Sequence, residues 1–319
     1  MKNKPIQWGE KPYHSLDYYL KNTYGEKIYK IALDAGMTCP NRDGTLDTRG
    51  CIFCSAGGSG DFASHGASIR EQLENGKKLF RHKKIGSRFI AYFQSFTNTY
   101  AEPERLKRLF EEALSESDVV GISIATRPDC LEPAVIELLC SLQKDFPDKF
   151  IWIELGLQTI HEQTALYIRR GYSLDVFEDA LTRLQAANLP VIVHIILGLP
   201  GETKAMMLAT CRYLSKKNIF GIKLQLLHVL RNTDLANEFF KKSFEILAFE
   251  EYIDIVISCL ELLPPEVVIH RVTGDGPKEL LIEPAWSLNK RNVLNTLHKE
   301  LRLRETFQGR LSTPNDINL

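Results

Sequence analysis

Six short runs rich in β-branched and aromatic residues recur along this 319-residue chain, each followed by a polar or Gly-rich segment and then by a longer amphipathic stretch. The runs are KIYKIAL (27–33), RFIAYFQSF (88–96), DVVGISIAT (118–126), FIWIELGLQ (150–158), PVIVHIILGLP (190–200) and GIKLQLLHV (221–229). Between them, segments such as PERLKRLFEEALSES and LDVFEDALTRLQAAN carry apolar residues at helical spacing. Strands alternating with helices at the interval of a βαβ unit predict a parallel sheet. The expected class is therefore α/β, a partial (βα)6 TIM-type barrel. A doubly wound sheet is the alternative, because strand order is not written in the sequence. From about residue 231 the rhythm changes to two helical segments, NTDLANEFFKKSF and AFEEYIDIVISCLELL, then a strand-like EVVIHRVTG and a basic amphipathic helix, SLNKRNVLNTLHKELRLRE. The expected division is 1–230, a barrel with an N-terminal extension, and 231–319, a mostly helical C-terminal extension packed on it.

In such a barrel, functional groups gather in the loops that follow the strands. LDAGMTCP follows the first run, QSFTNTY the second and ATRPD the third, ELGLQT straddles the end of the fourth, and LGLPGET follows the fifth. A simple connection would need none of these motifs.

Lys+Arg and Asp+Glu both number 40, so no net field draws in nucleic acid or membrane, and a polyanion would have to meet a local patch. Two patches qualify: Lys77, Lys78, Arg81, Lys83, Lys84 and Arg88, and the terminal helix with Lys290, Arg291, Lys299, Arg302 and Arg304. Each is also what an ordinary solvated face looks like. The N-terminus lacks the apolar core of a signal peptide, and no run approaches the roughly 18 to 20 apolar residues of a membrane span. A cytoplasmic protein with no membrane partner is expected. Seven cysteines, an odd number without an export signal, point to reduced thiols.

Three of the seven, Cys39, Cys51 and Cys54, fall in the loop after the first run with spacing C-x11-C-x2-C. Structural zinc wants four closed ligands, and a fourth would have to come from His65 or a distant cysteine. Incidental cysteines are a second reading, although a polar loop is not where inert thiols collect. An iron–sulfur cluster accounts for the count: three thiolates hold three irons of a [4Fe–4S] cube and leave one iron open to a non-protein ligand.

The three-cysteine loop resembles that of the radical S-adenosylmethionine (SAM) superfamily, whose commonest spacing, C-x3-C-x2-C, has a narrower first gap. The wider gap and the ordered blocks YKIALDAGMTCPNRDGTLDTRGCIFCS, YFQSFTNTYA, TRPDCL, ELGLQT, HIILGLPGET and HRVTGDGPKELLIEPAWSLNK resemble the YhcC/YtqA-type subgroup, related to the radical SAM domain of the elongator catalytic subunit. The resemblance implies that Cys39, Cys51 and Cys54 ligate a [4Fe–4S] cluster whose open iron chelates SAM. It implies that Gln94, Ser95, Thr97, Asn98 and Thr99 lie where the SAM amino group is held, and that Glu154 accepts from a ribose hydroxyl or the SAM ammonium. Pairing of Glu154 with Arg127 or Arg170 is the structural alternative. Arg170 resembles an arginine that grips the SAM carboxylate, although Arg169 and Arg170 also fit a solvated helix start. Gly198 and Gly201 in LGLPGET resemble a segment bordering SAM, where glycine permits close backbone approach.

His270, Arg271, Thr273 and Asp275 form a polar knot suited either to substrate or to a structural turn, and Lys83 and Lys84 are further candidates for substrate contact. His194 and His228 read as lining histidines, and Cys140, Cys211 and Cys259 as small buried thiols. The resemblance further implies a 5′-deoxyadenosyl radical, an electron donor such as flavodoxin or ferredoxin, and tRNA as substrate. The reaction implied is conversion of 5-carboxymethylaminomethyl-uridine to 5-aminomethyl-uridine at the wobble position. The alternative function is a noncatalytic iron–sulfur or zinc protein that binds RNA or a partner. Fewer than about 100 residues follow the expected barrel, so the acetyltransferase domain of the elongator subunit is not expected.

Overall fold

The computed structural model describes residues 7–312 except 59, 65, 81–85 and 275. His65, Arg81, Lys83, Lys84 and Asp275 therefore lie outside the described residues. The strands are β1 Ile28–Leu33, β2 Arg88–Phe93, β3 Val119–Thr126, β4 Phe150–Gln158, β5 Val191–Leu197, β6 Gly221–Leu226, β7 Val229–Leu230, β8 Val268–Arg271 and β9 Leu281–Glu283. One sheet runs in the order β1-β2-β3-β4-β5-β6-β8, while β7 and β9 pair antiparallel. An order that follows the chain without reversal is that of a partial TIM-type barrel, not of a doubly wound sheet.

All six expected strands are present, and a seventh, β8, joins the sheet parallel to β6 in register Gly221↔Val268 and Ile222↔Ile269. The second run stops at Phe93 and not at 96, because the chain turns through Phe96 at φ 58°. The sixth stops at Leu226, and its last residue, Val229, enters the short pair β7–β9.

Chain contacts define two compact units, residues 20–157 with 169–192, and residues 1–19, 158–168 and 193–319. In the first, β1 to β4 pair in parallel. Side chains on successive strand residues point to opposite faces, so each strand carries two different surfaces. One face packs on helices: Phe93 meets Phe110 of the helix Pro103–Leu114 edge-on at 5.0 Å. That helix starts on a proline, whose missing N–H is no loss at the first turn. It buries Leu106, Phe110, Ala113 and Leu114, and truncating Phe110 to alanine would cost about 3–5 kcal/mol. The alternate positions make the other face, where Lys30, Tyr92, Ser123, Trp152 and Glu154 lie beside the aliphatic Ile28 and Ile90.

In the second unit, the helix Phe249–Leu262 buries nine residues, and Tyr252 Oη donates to the Val272 carbonyl at 2.7 Å. The basic helix Lys290–Leu303 is capped by Asn289, whose side chain accepts from the Asn292 N–H.

Candidate active site

The wide gap between Cys39 and Cys51 is folded back on itself. The N–H groups of Arg42 and Asp43 donate to the Cys39 carbonyl at 2.7 and 3.2 Å, and those of Leu46 and Asp47 to the Pro40 carbonyl at 2.8 and 3.3 Å. Gly50 N–H then closes on the Asn41 carbonyl at 2.6 Å, which returns the chain beside its starting point immediately before Cys51. A tight turn, Cys54 N–H to Cys51 carbonyl at 3.0 Å, sets the last spacing. The Arg42 guanidinium clasps the far end by donating to the carbonyls of Cys54 and Ser55 at 3.1 and 2.5 Å.

Two buried donors reach the thiols. Asn41 Nδ2 lies 3.5 Å from Cys51 Sγ and also donates to the carbonyls of Arg169 and Arg170, at 2.7 and 3.3 Å. Arg127 Nη1 lies 3.9 Å from Cys39 Sγ and 3.0 Å from the same Arg170 carbonyl. Asp129 holds the Arg127 fork through two bonds of 2.9 and 2.7 Å. Burial alone would lower the Arg127 pKa, but Asp129 outweighs it and raises it. The Tyr172 ring has the Arg127 and Arg170 guanidiniums each 4.9 Å from its centroid.

The thiols differ. A hydrogen bond from Cys54, helped by Arg127, Asn41 and Arg42, brings the Cys51 pKa down to about 7 against the pull of burial. The same contact and burial push Cys54 up. A thiolate-prone cysteine beside two further thiols, with N–H donors aimed at two of the three sulfurs, is a donor set suited to iron–sulfur ligation. Among the described residues, no three His, Cys, Asp or Glu side chains converge as a single-ion site requires.

Residues 48–214 match the family model described as the Radical SAM superfamily, and residues 219–302 match that of the Radical_SAM C-terminal domain. This chain is a member of the radical SAM superfamily. The YtqA protein of Bacillus subtilis is 44% identical over 313 residues, which are 97% of this chain and 96% of that one. At a greater distance, the tRNA uridine(34) acetyltransferase of Methanocaldococcus jannaschii is 23% identical over 199 residues, 61% of this chain and 35% of its own length. The fold matches the archaeal Methanocaldococcus infernus Elp3 lacking residues 1–46, with a TM-score of 0.63 at 17% identity. That match covers 88% of this chain and 64% of the Elp3 chain. As a radical SAM enzyme, the protein takes a [4Fe–4S] cluster and SAM as cofactors.

The structure of this radical SAM protein sets the expected SAM contacts in different settings. After β2, Ser95, Thr97, Asn98 and Thr99 are all buried. Thr97 N–H donates to the Thr38 carbonyl at 3.2 Å and so ties this segment to the cysteine loop. The Asn98 amide donates to the carbonyls of Phe93 and Ala125 at 3.1 and 3.0 Å, whereas its Oδ1 and the Oγ of Ser95 have no hydrogen-bond partner among the described residues. Buried polar atoms without a partner are uncommon and call for an explanation. Thr99 bonds Thr126 and the Cys130 carbonyl at 2.5 and 2.6 Å and so serves as a latch between loops. Gln94 is half-buried at the end of β2, with its N–H on the Leu33 carbonyl at 3.2 Å.

With Arg127 committed to Asp129, Glu154 takes other partners. Its Oε1 accepts from Lys30 Nζ at 2.8 Å and from Ser123 Oγ at 2.6 Å, on the face of β1–β4 opposite the helices. Arg170 is not a solvated helix start: it is 1% exposed, donates to the carbonyls of Tyr172 and Leu157 at 2.9 and 3.1 Å, and precedes a helix that begins only at Leu174.

In the other unit, Gly198 and Gly201 adopt φ of 86° and 79°. A Cβ on Gly198 would stand 2.9 Å from Leu247 Cδ1, so the strained turn and the close packing both require glycine there. His270 and Arg271 end β8, with the His270 ring edge-on to Phe220 at 5.7 Å. His194 is half-buried on β5, and His228 lies against Gly274. Cys211 and Cys259 are buried as expected, whereas Cys140 is only half-buried.

The basic patches are less available than their composition suggests. Lys77 is paired with Glu74, Glu116 and Asp118, Arg88 with Glu26, and Arg304 with Asp254 and Glu300. Sequence reasoning missed Asn41, Arg42, Tyr172, Lys30 and Ser123, and did not connect Arg127 with Cys39. A lysine at an alternating position of the apolar run KIYKIAL is the one signal that pointed to any of them.

Proposed function

We propose that this radical SAM enzyme modifies the wobble uridine of tRNA, converting 5-carboxymethylaminomethyl-uridine to 5-aminomethyl-uridine: the N–CH2 methylene of the arm would give up a hydrogen atom to the 5′-deoxyadenosyl radical and an electron to the oxidised cluster, and water would then cleave the C–N bond, releasing glyoxylate and the primary amine. The observation that carries the chemistry is the folded-back loop that returns Cys51 and Cys54 to Cys39, under donors from Asn41 and Arg127. Those three cysteines would hold the cluster. When bound, the cluster and SAM together supply a 5′-deoxyadenosyl radical, which takes a hydrogen atom from an unactivated C–H bond.

This chain's own residues position and protect that chemistry. Asn41 and Arg127 orient the sulfurs, and Thr97 and Thr99 fix the neighbouring loops. Ser95 Oγ and Asn98 Oδ1 offer acceptors for the SAM ammonium, and the buried surroundings exclude water. The tRNA part of the reading is supported by the likeness to a tRNA uridine(34) acetyltransferase over 61% of the chain and by the shared Elp3 fold. A separate C-terminal part is supported by the two family models, which end and begin at 214 and 219, ahead of the expected boundary at 230. In this reading the enzyme works in the cytoplasm and takes electrons from a flavodoxin or ferredoxin.

Nucleoside mass spectrometry of tRNA from a deletion strain tests the substrate: carboxymethylaminomethyl-uridine accumulates and aminomethyl-uridine and its derivatives disappear. An unchanged wobble-uridine profile discards the tRNA reading. Anaerobic reconstitution tests the chemistry separately, with about four irons and four sulfides per chain and reductant-dependent release of 5′-deoxyadenosine expected.

A further inference from the structure

On the face of β1–β4 opposite the helices, one cation stands among aromatic rings. Lys30 rises from β1 with its Nζ 2.8 Å from Glu154 Oε1, 4.8 Å from the Tyr92 ring centroid and 5.8 Å from that of Trp152. Ser123 Oγ, at 2.6 Å from the same carboxylate oxygen, fixes Glu154 from the strand between. The pair is asymmetric: the Glu154 side chain is wholly buried, whereas 21% of the Lys30 side chain is open. Toward the C-terminal ends of the strands the same face carries the small residues Ala32, Ala125 and Gly156.

An ammonium has three N–H donors, and Glu154 engages one. Two remain for a ligand. Rings flanking the charge lower the local dielectric and strengthen any ion that reaches it. A lysine whose only duty was to neutralise Glu154 would be expected to be buried with it. A side chain that stays partly open, on a face whose strand ends carry small residues, instead describes a receiving group.

We propose that Lys30 is the specificity residue that takes the carboxylate of the substrate's carboxymethylamino arm, with Glu154 and Ser123 as its positioning residues and Tyr92 and Trp152 as its walls. The assignment rests on the wobble-uridine reading above. Anchoring the carboxylate fixes the adjacent methylene, the carbon whose bond to nitrogen must be broken. It also explains selection for the carboxylated arm over the product, which has lost that charge.

The test uses the full-length, anaerobically reconstituted protein and anticodon stem-loops carrying either 5-carboxymethylaminomethyl-uridine or the same arm ending in a neutral primary amide. Wild type prefers the acid by on the order of 10- to 100-fold in kcat/KM, the worth of one charge-assisted contact. Lys30→Met alone removes a hydrogen-bonded counter-charge from a buried carboxylate, so the decisive protein is K30M/E154Q, which removes both charges together. It is expected to treat acid and amide alike, within about twofold, with the loss appearing mainly in KM. Lys30→Arg restores part of the preference. Filter binding of the two stem-loops, which needs no turnover, shows the same loss of discrimination. If wild type converts the acid but K30M/E154Q still prefers it by the wild-type factor, Lys30 does not read the carboxylate, and the wobble-uridine reading stands. If wild type converts neither stem-loop, that reading fails and takes this assignment with it.

Discussion

The side-chain amide of Asn41 donates to the thiol of Cys51 across 3.5 Å, from inside the very segment that separates Cys51 from Cys39. The extra residues that widen the cysteine spacing thus supply their own donor to a ligand sulfur. Partners of this kind orient metal ligands, and their loss commonly costs about 10- to 100-fold in metal affinity. Asn41→Ala should therefore reconstitute with less iron under limiting supply, read by iron and sulfide analysis. An N–H aimed at sulfur stabilises the more negative, reduced cluster, so whatever cluster forms should show a lower reduction potential in an EPR-monitored titration. Full loading at an unchanged potential would leave Asn41 a loop staple only.

Gly171 lies under both donors. Its φ is 84°, and a Cβ there would sit 2.6 Å from Asn41 Oδ1 and 3.1 Å from Arg127 Nη2. Gly44, on the cysteine loop, also has positive φ (94°) but nothing within 4 Å of the added atom. Each Gly→Ala change carries backbone strain of about 1–3 kcal/mol. Only Gly171→Ala also displaces Asn41 and Arg127. Thermal melts should fall for both variants, whereas iron loading should fall for Gly171→Ala alone; equal loading of the two would mean that the donors adjust without harm.

How far these features were legible in the sequence depends on the range of the interactions that make them. The strands declared themselves through local alternation, and the cysteine triplet through spacing within 16 residues. β8 was recognisable as a strand, but two helices precede it, and only its register with Gly221 and Ile222 makes it part of the main sheet. Glu154 was singled out, but not its contact with Lys30, which lies 124 residues away and is joined to it only when four strands pair. Arg170 illustrates the same limit: a local Arg-Arg pair suggests a wet surface, yet long-range folding buries one guanidinium on backbone carbonyls.

Arg304 donates to Asp254 at 2.6 Å and to Glu300 at 3.3 Å, so the end of the basic helix is internally neutralised. An arginine already engaged in this way adds little to phosphate binding. Its side chain is 40% exposed, where ion pairs are worth roughly 0–1 kcal/mol. Arg304→Ala should lower stability by no more than about 1 kcal/mol and leave the slope of log K against log salt for tRNA binding unchanged. A slope shallower by about one unit would return Arg304 to the phosphate-contacting group.

Two histidines make stability depend on pH in a window above that of the carboxylates whose pKa values are lowered. His14 and His298 both have pKa values lowered from 6.5, in each case chiefly by burial. Lys11 and Arg302 depress His298 further, whereas the Pro265 and Glu266 carbonyls and the Glu266 charge partly offset the shift at His14. The rings are held as neutral partners: His14 stacks on Trp8 at 5.7 Å with Nδ1 3.2 Å from the Pro265 carbonyl, and His298 Nε2 lies 3.1 Å from Tyr13 Oη. Because the folded values lie below the unfolded one, the unfolded chain takes up protons first as pH falls. Their contribution is present above about pH 6.5 and is lost as pH falls through the folded values, at up to about 1.4 kcal/mol per pH unit for each proton. Asp254, whose pKa is lowered from 3.8 by Lys204 and Arg304, acts only below that value and does not enter this window. Urea midpoints measured between about pH 7.5 and 5.5 should therefore fall in the wild type and flatten in H14Q/H298Q. An identical decline in that double variant would place the proton uptake elsewhere in the chain.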